Sequence, residues 1–334
     1  METNVIRKTK PILFTALFSA LMVAASPASA QSAEQYPSGA MTLIVPFSAG
    51  GGVDIVGRIL AQSLSRELGQ PVVVENKPGA SGMIGAAAVA SSKPDGLTLL
   101  LASSGESAIS PHLYKNMNYD PAKDLEPVTL IAKIPNLVTV AAKLPVQDPK
   151  SFVDYAKQND AKMSYSSAGV GNIQNISGEL LNKLLGTQIL HIPYKGSAQA
   201  LADVTSGQVS FTFSSAAAAL PYLQSGRVKA VGVTSDRPLK AFPDIPPLNS
   251  TPELKDFTLV NWFGLFVAAG TPEPIVGKLN KAVITSLNDP QVIKALENQG
   301  AEAAPMTPAE FRQFRTEQSA LFGAIIKDAG IKLD

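Results

Sequence analysis

Residues 42–64 read TLIVPFSAGGGVDIVGRILAQSL, and this stretch decides the fold. Residues 42–46 form a short apolar run typical of a buried strand, and a glycine-rich turn follows it. Apolar side chains then recur at helical spacing, at Ile55, Ile59, Leu60, Leu64 and Leu68. We expect Asp54 to cap this helix and Gly69 to end it.

The alternation of strands and helices continues beyond this stretch. Residues 72–75 and 97–102 are strand-like, and a helix rich in small residues is predicted between them at 83–91. This βαβαβ order predicts a parallel sheet. A second series of elements follows. We predict its strands at 137–141, 163–166, 189–192, 209–213 and 228–234. We predict its helices near 149–159, from the turn at 167–171 through residue 185, at 197–206 and near 216–224.

A connector with five prolines at residues 238–252 separates the second series from the end of the chain. A strand-like segment at 257–268 and two amphipathic helices near 272–287 and 308–329 follow it. The sequence therefore predicts an α/β fold of two lobes joined by crossing segments. Ligands of such sheets bind beyond the carboxyl ends of strands, so we expect the site in the cleft between the lobes.

The first thirty residues have the pattern of a secretory signal peptide. Arg7, Lys8 and Lys10 are basic, residues 12–25 are largely apolar, and residues 28–30 read ASA. The apolar run is shorter than the roughly 20 residues of a spanning helix, which disfavours the alternative of a membrane anchor. We predict cleavage after Ala30 and a periplasmic mature chain that begins at Gln31.

The composition narrows the function. The 28 basic and 27 acidic residues include Arg7, Lys8, Lys10 and Glu2 of the signal peptide, so 25 and 26 remain, a net charge of −1. This balance gives no reason to expect nucleic acid or an anionic membrane as partner. The absence of cysteine excludes disulfides, thiol nucleophiles and a lipidated N-terminal cysteine.

The chain lacks the residues and motifs that most classes of enzyme require. His112 and His191 are the only histidines, and neither H-E-x-x-H nor the G-x-S-x-G elbow of serine hydrolases occurs. The glycine-rich turns do not satisfy G-x-G-x-x-G, and no phosphate-binding P-loop motif is present. We expect no cofactor, no metal and no enzymatic activity. An exported hydrolase that uses a loop serine with His191 stays open as an alternative.

The turns that enter helices carry small or hydroxyl-bearing residues. Residues 47–54 expose backbone N–H groups at the start of a helix, whose dipole adds partial positive charge, so they can bind an anion. A plain tight turn is the alternative explanation. Similar turns follow strands at residues 103–105, 167–172, 195–198 and 214–215. Several such turns at strand ends favour a site that binds carboxylates through neutral donors.

Over nearly its whole mature length the chain resembles the Bug-type periplasmic solute receptors of tripartite tricarboxylate transporters. The match is carried by residues 36–37 (YP), 45–56 (VPFSAGGGVDIV), 68–80 (LGQPVVVENKPGA), 94–96 (PDG), 119–121 (YDP), 193–197 (PYKGS), 261–266 (NWFGLF), 270–272 (GTP) and 328–334 (DAGIKLD).

The resemblance implies a two-lobed type II periplasmic binding protein, each lobe a mainly parallel sheet flanked by helices. Lobe 1 would hold residues 37–135 and 258–334, and lobe 2 residues 136–257. Its implied partners are a dicarboxylate, tricarboxylate or aromatic acid and the membrane permease, and the receptor is expected to be monomeric. The implied binding residues are Phe47, Ser48, Ala49, Gly50, Gly51, Gly52, Asp54, Ser103 and Ser104 in lobe 1, and Ser167, Ala168, Asn172, Asn175, Gly196, Ser197, Ala198 and Ser214 in lobe 2.

Three positions depart from the family pattern. Relatives usually carry glycine followed by threonine or serine in this loop, with a histidine three residues later, and here those positions hold Asn172 and Asn175. Ser214 stands where an aspartate is common. Amides and a hydroxyl change the reach and number of donors, so the identity of the acid does not carry over. The sequence also leaves open whether the receptor serves a permease or a membrane sensor.

Overall fold

The structure is a computed structural model that describes residues 1–3, 36–194 and 196–331. Every element discussed below belongs to one compact unit, Ser32–Asp334. The predicted signal peptide falls almost wholly outside the described residues, and its cleavage site stays a prediction. Among the helices of the described residues, none combines the length and apolar character needed to cross a membrane.

The elements alternate along the chain as the sequence predicts. The strands are β1 (Met41–Val45), β2 (Val72–Asn76), β3 (Thr98–Ser103), β4 (Leu125–Ala141), β5 (Ser164–Ser167), β6 (Leu190–Pro193), β7 (Phe211–Ser215), β8 (Val228–Val233), β9 (Val260–Ala268) and β10 (Glu302–Ala303). The helices are α1 (Gly52–Leu68), α2 (Met83–Ala90), α3 (Pro149–Asn159), α4 (Ile173–Leu185), α5 (Ser197–Ser206), α6 (Ala216–Gln224), α7 (Glu273–Asn288), α8 (Pro290–Glu297) and α9 (Pro308–Asp328).

The first sheet is built around β1. This strand pairs in parallel with β2 and β3, as the βαβαβ pattern predicts. β9 then pairs antiparallel with β3, and β4 pairs antiparallel with β9. Leu43 and Ile44 point to opposite faces of the sheet because successive strand residues alternate. Leu43 packs with α1 and α7, whereas Ile44 joins a core cluster that extends to Phe211 and Phe213 of the second sheet.

Strand β4 belongs to both sheets. Residues up to Pro135 pair with β9, and residues from Asn136 onward pair with β7 and β8. In the second sheet β5 pairs in parallel with β6 and β7. The chain returns beside the same point, where the Thr234 amide donates to the Asn136 carbonyl at 2.9 Å and the Leu259 amide donates to the Thr234 carbonyl at 3.1 Å. The lobe limits given above stay a prediction.

The structure confirms most predicted elements. The helices at 149–159, 197–206 and 216–224 have the predicted bounds, and Gly69 ends α1 in the left-handed conformation. The prediction for Asp54 is wrong: Gly51 is the N-cap of α1, and Asp54 is the third residue of the helix.

Most of β4 was missed, and so were α8 and the two-residue strand β10. Only residues 137–141 of the 17-residue strand β4 were predicted, because its first part is buried without alternation and contains prolines and two register shifts. α8 has eight residues, of which only Val292 and Leu296 are buried, too few for a periodic signal.

Two helices contain glycines that differ in the space available for a side chain, so alanine substitutions there test how tightly each helix is packed. A Cβ at Gly178 of α4 would lie 2.1 Å from the Tyr165 ring, whereas nothing lies within 4 Å of a Cβ at Gly277 of α7. We expect Gly178→Ala to lower the free energy of unfolding by about 1–3 kcal/mol through overpacking. Gly277→Ala is the matched control and should leave stability unchanged or raise it by up to about 1 kcal/mol.

Denaturant unfolding of both variants measures these differences. Equal stability of the two variants would show that Tyr165 moves aside and that this contact is not tight.

Candidate ligand-binding site

The glycine-rich turn between β1 and α1 presents its backbone to solvent. Residues 48–52 are exposed, and within the described residues no acceptor contacts the amides of Gly51, Gly52 or Val53. These amides lie at the start of a 17-residue helix, whose dipole adds partial positive charge. The Gly50 amide is different, because it donates to the Asp54 carboxylate at 2.9 Å. The anion-donor prediction is therefore narrowed to residues 51–53.

Asp54 fixes the shape of this turn from inside. Its side chain is buried and accepts hydrogen bonds from Gly50, from Arg58 at 3.0 Å and from Asn76 at 2.9 Å. Asn76 also donates to the Phe47 carbonyl at 3.0 Å. Burial alone raises the pKa of the Asp54 carboxyl, but these hydrogen bonds outweigh it and hold the pKa below its usual value. Both carboxylate oxygens have partners, so the geometry supports a positioning role.

A second group lies where β3 ends. The Ser103 amide donates to Glu106 Oε1 at 2.6 Å, and the Ser103 hydroxyl lies 2.5 Å from Glu106 Oε2. Ser104 lies deeper, and its hydroxyl donates to Asn261 Oδ1 at 2.8 Å. A Cβ added at Gly82 would lie 3.0 Å from Glu106 Cδ and 3.2 Å from the Phe47 ring. The turn before α2 therefore brings Phe47 and the Ser103 group to one place.

Glu106 was missed by the sequence reasoning. It is fully buried, and burial raises the pKa of its carboxyl to about 7 although the hydrogen bonds of Ser103 act in the opposite direction. Within the described residues it has no ion-pair partner. The signal that could have found it is a lone glutamate in the run SSGESAIS directly after an apolar strand.

In the second half of the chain, two of the predicted binding residues, Ser167 and Asn175, lie on either side of the His191 imidazole. Ser167 Oγ lies 2.7 Å from His191 Nε2, and Asn175 Nδ2 lies 3.3 Å from His191 Nδ1. The Tyr165 ring stacks on the imidazole with centroids 4.8 Å apart. Burial lowers the pKa of His191 to about 4, so the ring is neutral near pH 7.

The hydrogen bonds of Asn175 fix the tautomer of this histidine. Asn175 Oδ1 accepts from the Gly171 amide at 3.0 Å, so its Nδ2 group faces Tyr165 and His191 as a donor. His191 Nδ1 is then the acceptor, and Nε2 carries the proton and donates to Ser167. Ser167 in turn donates to the Gly169 carbonyl at 2.7 Å. A general base needs an unprotonated nitrogen toward the serine, so this arrangement does not activate Ser167.

The remaining predicted residues of the second half fall into two sets. Asn172 caps α4 by accepting from the Asn175 amide at 3.0 Å, and Ser214 is buried with its hydroxyl 2.6 Å from that of Thr139. The other set, Gly196, Ser197 and Ala198, begins α5, where Ser197 and Ala198 are exposed. Asn172, Asn175 and Ser214, which the resemblance implies as binding residues, thus have partners within the fold.

Contacts between the loops connect the two halves. The Ser81 hydroxyl donates to the Val170 carbonyl at 3.0 Å, which joins the turn beside Glu106 to residues 167–172. Gln174, which the sequence reasoning also missed, accepts from the Ala168 amide at 2.7 Å and donates to the Phe213 carbonyl. It therefore ties the loop after β5 to the end of β7, beside Ser214.

A cavity of about 380 Å³ lies elsewhere, between the crossing strands and α9. Trp262 and Phe314 line it, and the predicted site residues do not. Three of its charged groups have partners, since Arg237 pairs with Glu302 at 2.6 Å and Lys133 lies over the Phe314 ring at 5.4 Å. We therefore place the candidate site at the loops, where donors without acceptors remain.

Two α/β sheets share a crossing strand and present donor loops at their strand ends, which is where ligands of such sheets bind. Residues 56–331 match the family model described as "Tripartite tricarboxylate transporter family receptor". The chain therefore belongs to the tripartite tricarboxylate transporter receptor family, as the sequence resemblance predicted.

Solved structures agree with this assignment. The periplasmic binding protein BugD is 35% identical, with a TM-score of 0.81 over 89% of this chain and 99% of BugD. Rpa4515 of R. palustris, solved with adipate, is 32% identical, with a TM-score of 0.84 over 89% of this chain and 99% of Rpa4515. MatC of Rhodopseudomonas palustris, solved with bound malate, is 32% identical, with a TM-score of 0.80 over 87% of this chain and 100% of MatC.

Glu106→Gln is expected to change how stability depends on pH. A glutamate in an unfolded chain titrates near pH 4.3, whereas the pKa of Glu106 in the fold is about 7. Between these values the folded protein holds a proton that the unfolded chain has lost. The contribution of Glu106 to the free energy of unfolding therefore falls as the pH rises, by up to about 4 kcal/mol, and glutamine removes this loss.

Denaturant unfolding at about pH 5 and about pH 8 measures the effect. His191 acts in the opposite sense, because its lowered pKa gives stability that is complete above about pH 6.5 and is lost toward pH 4. Both proteins contain His191, so its contribution cancels when the free energy of unfolding of Glu106→Gln is compared with that of the wild type. A difference that does not grow with pH would contradict the buried neutral carboxyl.

Proposed function

We propose that this family member binds a small dicarboxylate between its two lobes, releases it unchanged, and delivers it to a tripartite tricarboxylate-type permease. The single observation that carries the proposal is the set of unpaired amides at residues 51–53, at the start of a long helix. Ser197 and Ala198, exposed at the start of α5, supply the matching donors of the second half. Adipate in Rpa4515 and malate in MatC support a dicarboxylate.

The proposed mechanism is capture by backbone donors followed by closure. One carboxylate of the ligand takes the amides of residues 51–53, and the loops of the second half hold the other end. Since donors from both halves must engage the same ligand, binding shifts the population toward the closed state. The hydrogen bond from Ser81 to Val170 supports this, because it is a contact between the two sets of loops.

Hydrolysis is disfavoured as an alternative by the Ser167 and His191 geometry. The imidazole presents its N–H to the serine and is held there by Asn175. After titration with malate or adipate, mass spectrometry should recover the acid unmodified. Neither acid contains an ester or amide bond, so hydrolysis is tested separately with p-nitrophenyl acetate. Cleavage of this ester that disappears in His191→Ala would instead establish the hydrolase.

We also propose that the protein is exported to the periplasm and that its partner there is a membrane permease. We place the mature chain in the periplasm, beginning at Gln31, and N-terminal sequencing of the exported protein tests this start. The family assignment supports a permease as partner. A pull-down of membrane proteins with and without malate or adipate distinguishes a permease from a sensor ectodomain.

Substitutions at Gly51 test the amide site. Gly51 has an extended backbone with φ of −81°, and the nearest atom to an added Cβ is 3.6 Å away, so aspartate and asparagine both fit. Both residues favour the N-cap position. We expect Gly51→Asp to weaken the binding of malate or adipate by about tenfold or more, because it places a like charge among the donors.

Gly51→Asn is the matched control, with the same shape and no charge. Isothermal titration should give it an affinity much closer to that of the wild type. If a folded Gly51→Asp protein binds as tightly as Gly51→Asn, this turn does not hold the carboxylate.

A further inference from the structure

We infer that Glu106 is a positioning residue whose protonation turns the Ser103 hydroxyl toward the ligand, so that capture of a carboxylate takes up one proton. This inference rests on the proposed function, since it needs an anionic ligand beside Ser103. Glu106 takes no part in the capture by backbone donors proposed above.

The hydrogen-bond geometry around Ser103 carries the argument. Glu106 Oε1 accepts the Ser103 amide at 2.6 Å, and Oε2 lies 2.5 Å from the Ser103 hydroxyl. The Ser103 hydroxyl oxygen also accepts the Gly105 amide at 3.2 Å. When Glu106 is ionised it has no proton to give, so the single hydroxyl proton of Ser103 must point inward to Oε2.

Protonation of Glu106 reverses this hydrogen bond. The proton enters from solvent onto Oε2, and the neutral acid then donates to the Ser103 hydroxyl oxygen. That oxygen now accepts from both Glu106 and Gly105, so its own proton must turn outward, where it can donate to a ligand carboxylate. Ser103 is 6% exposed and Glu106 is fully buried, so the serine is the member of the pair nearer to solvent.

The surroundings of Glu106 do not neutralise its charge. The segment 105–109 packs against β3, the turn 80–82, residues 110–112 and α9, and β3 and the turn carry no titratable side chain. Residues 110–112 contain His112, which faces Gly323 and Ser319. In α9, Arg315 donates to the Pro121 carbonyl. Tyr119 donates to the backbone carbonyl of Glu106 at 2.6 Å. No cation pairs with this carboxylate in the described residues.

An anionic ligand therefore selects the neutral form of Glu106. A second negative charge next to an ionised buried carboxylate is unfavourable, whereas the neutral acid removes the repulsion and supplies a donor through Ser103. Burial holds the pKa of this carboxyl at about 7, so both forms are populated near neutral pH. If only the protonated form binds, the apparent affinity falls by about tenfold between about pH 6 and about pH 8.

Isothermal titration with malate and adipate at about pH 6 and about pH 8, in two buffers of different ionisation enthalpy, tests the inference. We expect the wild type to lose about tenfold in affinity and to take up close to one proton at the higher pH. Glu106→Gln keeps an amide donor toward Ser103 and should bind equally at both pH values without proton uptake. Ser103→Ala removes the hydroxyl donor but keeps the charge of Glu106, so it should bind more weakly than the wild type at about pH 6 and show a smaller dependence on pH.

His112→Gln is the matched control, because His112 follows the same segment but contacts Ser319 instead of Ser103 or Glu106, and it should behave as the wild type. Wild-type binding without proton uptake overturns the inference and leaves the proposed function intact, even if Glu106→Gln fails to fold. Loss of the pH dependence in His112→Gln also overturns it. If the wild type binds neither malate nor adipate at about pH 6, the proposed function itself fails.

Discussion

The pairing of β4 with strands of both sheets is the constraint from which the other elements take their places. Its first part is paired with β9, and its last residues, 136–141, are held between β7 and β8. The Thr234 amide bonds to the Asn136 carbonyl at the point where the strand changes sheets, so the returning chain passes beside it. Because one strand runs through both sheets, the loops at the ends of β1, β3, β5 and β7 are positioned relative to one frame.

The polar side chains near the candidate site mostly serve the protein itself. Asp54 holds the glycine-rich turn, Asn175 holds His191, and Asn172 caps α4. Buried polar groups must find partners, and here they find them within the fold. What remains for a ligand is backbone N–H, chiefly at the start of α1. In the proposed function such donors hold a carboxylate whatever the rest of the ligand, and the choice among acids would depend on the spacing between the two sets of loops.

Burial has opposite consequences for the two titratable groups next to the predicted donors. It lowers the pKa of His191 to about 4 and raises that of Glu106 to about 7, because in both cases it disfavours the charged form. The imidazole is then neutral throughout the physiological range and acts as a fixed hydrogen-bonding group. The carboxyl is the group whose charge can change near neutral pH, and its hydrogen bond to Ser103 is the contact through which we infer that this change reaches the site.

The sequence alone determined the family, the order of strands and helices, and the glycine-rich turn, because these depend on local patterns of apolar and small residues. It gave the bounds of α3, α5 and α6, but missed most of β4, whose pairing lies with β9, more than a hundred residues away. Tertiary structure alone decided the partners of polar groups: Asn172 became a cap, Ser214 paired with Thr139, and Glu106 became a buried acid. The reason is physical, since burial and hydrogen bonding depend on neighbours that only folding brings into contact.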